Sequence, residues 1–263
     1  MLEQIMAFAI NWANRLLRHG AIINEHFVPT LGLELAPYLA KGDKTAAQHL
    51  IRYIWSQRVI GDFPSPMHIL DVACGSGYGS YMIAQAFPQS QVLGVDYDQA
   101  AVQFATQHYC LPNLAFKKGD VLLWDETIGL TLFDCILSFE TLEHCRHREI
   151  MLQNLVNHLQ PDGYLLFSTP SGHAQNILRP RWMHHAIEYS AASLYDFLSR
   201  YFARLDYPEQ STFPQRSVFA TLDGTKASYL LRLNPVICRK PIRIANPYLG
   251  QTQESSSTVL PNE

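Results

Sequence analysis

The sequence predicts an α/β fold in which a doubly wound, mostly parallel sheet of seven strands follows an N-terminal helical segment able to act as a lid. Three observations carry the prediction. The apolar run Ile69-Leu70-Asp71-Val72 ends beside an acid and opens into Gly75-Ser76-Gly77-Tyr78-Gly79, which reads as strand, tight turn and helix start. A second run, Leu93-Gly94-Val95, ends in Asp96 and reads as the next strand. Phe133 to Phe139 and Leu165 to Ser168 are near-continuous apolar runs, the pattern of strands covered on both faces.

Taken in order, residues 1–65 form the N-terminal helical segment, 66–245 the core domain and 246–263 a disordered tail. Ile5, Phe8, Ala9, Trp12, Ala13 and Leu16 make a stripe at helical spacing that ends in Arg18 and Gly20. Such a stripe suits a substrate lid, a homodimer face, a membrane-surface helix or a helix packed on its own domain. It does not read as a signal peptide, because Glu3 stands where a positive charge is expected and no small-residue cleavage site follows. No run is long enough to span a bilayer as a helix. A second helix is expected over Thr45 to Val59, and Asp62 to Pro66 reads as the linker into the core.

Within the core, a helix is expected from Tyr78 to Phe87 and a third strand from Leu114 to Lys118. Leu159 to Tyr164 reads as a helix stop and turn before the strand at Leu165. Ser190 looks like the N-cap of a helix through Phe202. Ala203 to Tyr207 and Val236 to Arg239 complete the seven strands, the last pair antiparallel. Between them, Thr169 to Ile187 carries Pro170, Gly172, Pro180, His173, His184 and His185, a composition suited to a substrate-pocket loop. The tail is rich in Gln, Ser, Thr and Pro.

Composition narrows the function. The chain has 263 residues and 48% hydrophobic content, enough for one α/β domain with appendages. Twenty basic against 23 acidic residues leave a net charge of −3, which makes nucleic acid an unlikely partner. The five cysteines are odd in number and contain no C-x-x-C pair, so reduced thiols in the cytoplasm are the simplest reading. A catalytic role for Cys74 is conceivable; a small residue beside a ligand is the simpler one.

The glycine loop and Asp96 together specify a ligand class. A dinucleotide site wants G-x-G-x-x-G, with an acid about 20 residues on for a ribose. Here the spacing is G-x-G-x-G, and Ser80 stands in the place of the third dinucleotide glycine. Asp96 therefore argues for a ribose, and the glycine spacing argues against a pyrophosphate.

The motifs LDVACGSGYGS (70–80), SFETLEH (138–144) and LQPDGYLLFSTP (159–170) resemble the class I S-adenosylmethionine-dependent methyltransferases over roughly residues 49–200. The branch is similar to glycan, secondary-metabolite and quinone O-methyltransferases. Asp162 departs from the family, which usually has a second glycine there. The resemblance implies a Rossmann-like fold that binds S-adenosyl-L-methionine. Around the loop it implies cofactor contacts from Asp71, Ala73, Cys74, Gly75, Ser76 and Gly77. Beyond the loop it implies Asp96 and Tyr97, Asp120 and Val121 near the adenine, and Ser138 and Phe139. It also sets the helix of residues 45–59 over the methionine end, where Arg52 or Tyr53 could meet the cofactor carboxylate.

For methyl transfer to a hydroxyl the protein must align the nucleophile and remove its proton. His144 is the expected base, because it follows a core strand at the carboxyl edge where open α/β sheets bind ligands. His184 and His185 are alternatives, with Glu188 able to orient one of them. Glu140-x-x-Glu143-His144 also looks like the metal-binding run of the quinone enzymes, and of the small-RNA 2′-O-methyltransferases, where a further histidine joins. Alternatively Glu140 lines the cofactor pocket and Glu143 the surface. The leading expectation is an O-methyltransferase of a small-molecule or glycan acceptor. An RNA 2′-O-methyltransferase with a divalent metal and a non-catalytic cofactor-binding protein are the alternatives, and a dehydrogenase is disfavoured by the glycine spacing.

Overall fold

The computed structural model describes residues 20–23, 26–129, 131–181, 184–206 and 235–243. The helix expected at Ile5 to Arg18, the last residue of the strand expected at Ala203 to Tyr207, and the tail lie outside the described residues. The described residues open with a two-stranded antiparallel ribbon, β1 (Gly20–Ile23) and β2 (His26–Pro29), between the two helices expected in the N-terminal segment. Ile22, Ile23 and Val28 are β-branched, and such side chains favour extended backbone. Two helices follow, α1 (Leu35–Ala40) and α2 (Lys44–Gly61). Asp43 caps α2 by accepting the Ala46 N–H at 3.0 Å.

The core alternates β3 (His68–Val72), α3 (Tyr78–Ala86), β4 (Gln91–Asp96), α4 (Gln99–His108), β5 (Leu114–Lys118), α5 (Trp124–Thr127), β6 (Phe133–Phe139), α6 (Arg148–Asn157) and β7 (Leu159–Ser168). The short strands β8 (Ser171–His173) and β9 (Tyr189–Ser190) pair with each other. Helix α7 (Ala191–Leu198), β10 (Phe202–Asp206) and β11 (Val236–Pro241) close the described chain. Ser190 caps α7 as expected, accepting the Ser193 N–H at 3.2 Å.

The seven-stranded sheet has the order β10-β11-β7-β6-β3-β4-β5, and β11 runs antiparallel to both its neighbours. Alternate residues of the central strands feed two apolar layers. Ile69, Leu137 and Leu166 face α2 and α3, whereas Leu70, Ile136 and Leu165 face α6 and α7. The chain steps outward from β3 to β4 and β5, then returns to the other side of β3 as β6. That reversal makes the carboxyl ends of β3 and β6 the switch point of the sheet, the place where open α/β sheets take their ligands.

The turn expected at residues 159–164 is absorbed into β7. Leu159 pairs with Phe133, the register shifts, and pairing resumes at Tyr164 opposite Cys135. Gly163 permits this, because a Cβ there would lie 3.0 Å from the Gln160 backbone. The extra residues are taken up as an irregularity of the strand, and Asp162 sits on its exposed part.

Candidate active site

The switch point is marked by backbone strain. Ala73 (φ 54°) and Glu140 (φ 52°) adopt left-handed conformations directly after the paired strands β3 and β6. Non-glycine residues rarely do so, and such positions gather at functional sites. Gly75 (φ 56°) and Gly77 (φ 85°) continue the turn, and Gly77 is the N-cap of α3. A Cβ on Gly77 would meet Ala105 Cβ at 2.5 Å. The loop is thus pressed against α4 and the Phe116 ring of β5.

Gly79, the third glycine of the run, has a packing role. A Cβ there would fall 1.9 Å from Tyr53 Cζ, so this glycine makes room for the Tyr53 ring between α2 and α3. The Tyr53 hydroxyl lies 3.2 Å from both oxygens of Asp71 and donates to that carboxylate. Ser80 Oγ donates to Asp71 Oδ2 at 2.7 Å. Asp71 is buried, and desolvation pushes its pKa up to about 7 despite these two donors. Asp71 anchors the underside of the loop, and Tyr53 is its partner.

Asp96 holds the loop from the side. Its Oδ2 accepts the Gly75 N–H at 2.8 Å and its Oδ1 the Asp98 N–H at 2.9 Å. Burial raises its pKa, and the backbone donors and His26 oppose that rise. Tyr97, next in the chain, is 70% exposed beside it. Asp120 is half-buried and accepts the Leu122 N–H at 2.8 Å, and the Val121 carbonyl accepts from Asn154 Nδ2 at 2.7 Å. Ser76 is buried and donates to the Phe27 carbonyl at 2.6 Å. Cys74 is buried, with its thiol pKa driven up by desolvation and by Asp71, so a reactive thiolate is not available there. Phe139 turns inward, its ring edge-on to Tyr53 at 5.4 Å. Ser138 is buried, and its Oγ has no partner among the described residues.

Glu140 and Glu143 part company. Glu140 accepts from Ser168 Oγ at 2.9 Å and pairs with Arg52 at 3.1 Å. Arg52 is itself buried, and its Nε has no partner among the described residues. Glu143 lies fully buried under the following loop, accepting from Thr169 Oγ1 at 2.7 Å. Burial, reinforced by the neighbouring Glu140, raises its pKa well above the carboxylate range. Its other oxygen, Oε1, has no hydrogen-bond partner among the described residues and lies 3.9 Å from His144 Nε2. The alternative that sets Glu143 at the surface therefore does not hold.

His144 and His185 meet edge to face with centroids 4.9 Å apart. His144 Nδ1 lies 3.2 Å from the His184 carbonyl, which can only accept, so Nδ1 carries the proton and Nε2 is the basic nitrogen. Burial and then His185 hold the His144 pKa down at about 4. His185 Nδ1 and His173 Nε2 both contact Glu188, at 2.8 and 3.0 Å. The expected link from Glu188 to a loop histidine is present at His185, and Glu188 also reaches His173. One ligand atom from each of Glu143, His144 and His185 lies within 4.8 Å of the others. Glu140 is not in that group, so the E-x-x-E-H run does not act as one set.

Sequence reasoning missed His26, whose Nε2 lies 3.3 Å from Asp98 and 4.0 Å from Asp96. No local pattern links residue 26 to residue 96. Thr169, the partner of Glu143, was equally silent, although its place directly after a core strand at the carboxyl edge was a usable signal.

A family model described as "Methyltransferase domain" matches residues 64–210, more than half of the chain. The chain belongs to this methyltransferase family. Among curated proteins, it is 31% identical over 105 residues to a malonyl-[acyl-carrier protein] O-methyltransferase of Bacillus cereus, covering 39% of this chain and 37% of that protein. It is 35% identical over 105 residues to a trans-aconitate 2-methyltransferase of Deinococcus radiodurans, covering 40% of this chain and 38% of that protein. The chain thus spans about two fifths of the length of these relatives. Among solved structures, the O-methyltransferase of a trans-AT PKS multienzyme of Brevibacillus brevis, in complex with S-adenosyl-L-homocysteine, aligns with a TM-score of 0.51 at 16% identity. That alignment covers 66% of this chain and 60% of that one, and it supports the methyltransferase fold. No helix among the described residues is long and apolar enough to cross a membrane.

Proposed function

We propose that this methyltransferase uses S-adenosyl-L-methionine to methylate a hydroxyl group of a small molecule. The observation that carries the reading is the convergence, on one sheet edge, of the Gly75–Gly77 turn, the Asp96 carboxylate and the His144–His185 pair. The donor set fits the cofactor. Asp96 offers a carboxylate at the end of the second core strand for a ribose diol. The buried Arg52 guanidinium retains an Nε–H without a described partner, which suits the methionine carboxylate. Asp120 and Val121 are left for the adenine. Once bound, the cofactor supplies an electrophilic methyl group.

The protein's own part is to hold the acceptor and take its proton. His144 Nε2 is a neutral acceptor at physiological pH, and its neighbour His185 is steadied by Glu188. A small acceptor is favoured over nucleic acid by the balanced charge and by the trans-aconitate name of one relative. A glycan acceptor and a homodimer remain within this reading, and the five free cysteines suit the cytoplasm.

A second reading keeps the same acceptor but holds it on a divalent cation at Glu143, His144 and His185. The clustered ligand atoms favour it, and so does Glu143 Oε1, which has no hydrogen bond among the described residues and faces His144 Nε2 at 3.9 Å. The test is transfer of a labelled methyl group into a metabolite extract, with product identified by mass spectrometry before and after chelation. A labelled O-methyl product is expected. Activity that survives metal stripping removes the second reading, and labelled N- or C-methyl products contradict the first.

A further inference from the structure

Strand β2 is fastened to the glycine turn itself. Phe27 is buried, stacked on His49 at 4.6 Å and edge-on to Tyr78 at 5.5 Å, and its carbonyl accepts from Ser76 Oγ. This anchorage sets the preceding residue, His26, over the turn. The His26 Nδ1 lies 3.1 Å from where a Cβ on Gly75 would stand. Its Nε2 bridges toward Asp98 Oδ2 at 3.3 Å and Asp96 Oδ1 at 4.0 Å. The two backbone donors of Gly75 and Asp98 already engage Asp96, and with the imidazole in place its side chain is only 1% exposed.

A ribose diol must approach Asp96 on the side that these backbone donors leave open. The imidazole Nε2 lies against the carboxylate, 4.0 Å from Asp96 Oδ1. We propose that His26 gates the nucleoside corner: its side chain occupies the ribose position against Asp96 and Asp98, and it must swing away before the cofactor binds. This rests on reading Asp96 as the ribose acid. The gate makes the competent state a fraction of the population, so the apparent dissociation constant exceeds the intrinsic one by the inverse of that fraction. His26 is thereby a determinant of how fast and how tightly the cofactor is taken up, distinct from the residues that touch it.

The experiment is binding of S-adenosylhomocysteine to the full chain, with Kd from calorimetry and rates from stopped flow. His26→Ala is expected to lower Kd by roughly fivefold or more, through a faster association rate and an unchanged dissociation rate. A direct contact between His26 and the nucleoside predicts the reverse, weaker binding through faster dissociation. Asp98→Asn removes the carboxylate that holds His26 and keeps an N-cap for α4, so it should act in the same direction and serves if H26A misfolds. Weaker or unchanged binding in the folded variants overturns the gate. Asp96→Ala separates the two ideas. If it loses binding while H26A gains nothing, only the gate fails; if it binds like the wild type, the reading of Asp96 fails and the gate with it.

Discussion

Ser80 hydrogen-bonds the carboxylate of Asp71 at 2.7 Å from the first turn of α3, so the residue in the third-glycine place braces the loop from below. The site is tight, since a Cβ on Gly94 of the next strand would come within 2.8 Å of the same hydroxyl. Ser80→Ala deletes one of two side-chain donors to a buried acid. It is expected to cost about 1–3 kcal/mol in urea unfolding. A change below a few tenths of a kcal/mol would remove Ser80 from the brace.

Asp71 gives the stability a pH dependence of definite sign. Its folded pKa, about 7, lies above the unfolded value near 3.8, so between those values the folded state holds a proton that the unfolded state has lost. Stability from this group is therefore greatest at low pH and falls as pH rises toward 7, by at most about 1.4 kcal/mol per pH unit. His144 works oppositely: its folded pKa near 4 lies below its unfolded value of 6.5, so its contribution grows with pH across that window. The Asp71→Asn variant should lose the downward component. Urea melts from pH 5 to 8 on both proteins check this, and parallel profiles would contradict it.

Gly79→Ala is expected to be destabilising by about 1–3 kcal/mol, because the new methyl must displace the Tyr53 ring or separate α2 from α3. Gly61→Ala, at the end of α2 with nothing within 4 Å of its added Cβ, is the control and should be neutral within about 1 kcal/mol. Equal melting temperatures for the two variants would refute this packing account of Gly79.

In the catalytic corner, His144→Ala is expected to lower kcat by about 10²–10⁴ while S-adenosylhomocysteine affinity stays within twofold. Glu188→Gln, acting through His185, should lower kcat by a smaller factor. A loss of cofactor affinity matching the loss of rate would move His144 out of the proton-transfer role.

How far the sequence could be read depended on the range of the interaction. The strands at Leu114–Lys118 and Phe133–Phe139 have the expected bounds, since their patterns are local. The glycine turn and the places of Asp71 and Asp96 near the ends of their strands were legible for the same reason. What was not legible involves distant residues meeting. Tyr53 was offered, with Arg52, as a partner for the cofactor carboxylate, and its hydroxyl donates to Asp71, eighteen residues on. Glu140 and Glu143 look like one motif, yet the left-handed backbone at Glu140 turns them to different partners, Arg52 and Thr169. His26 reaches Asp98 across 72 residues, which only the tertiary fold determines.

The central claim is that Asp96 and the glycine turn bind an S-adenosyl ligand. Ligands that bind the native state raise its melting temperature by mass action, so a thermal-shift comparison of S-adenosylhomocysteine and NADH tests it directly. Stabilisation of the wild type by S-adenosylhomocysteine and not by NADH, lost in Asp96→Ala, is the predicted result. Stabilisation by NADH alone, or an Asp96→Ala shift equal to the wild type's, would contradict the account.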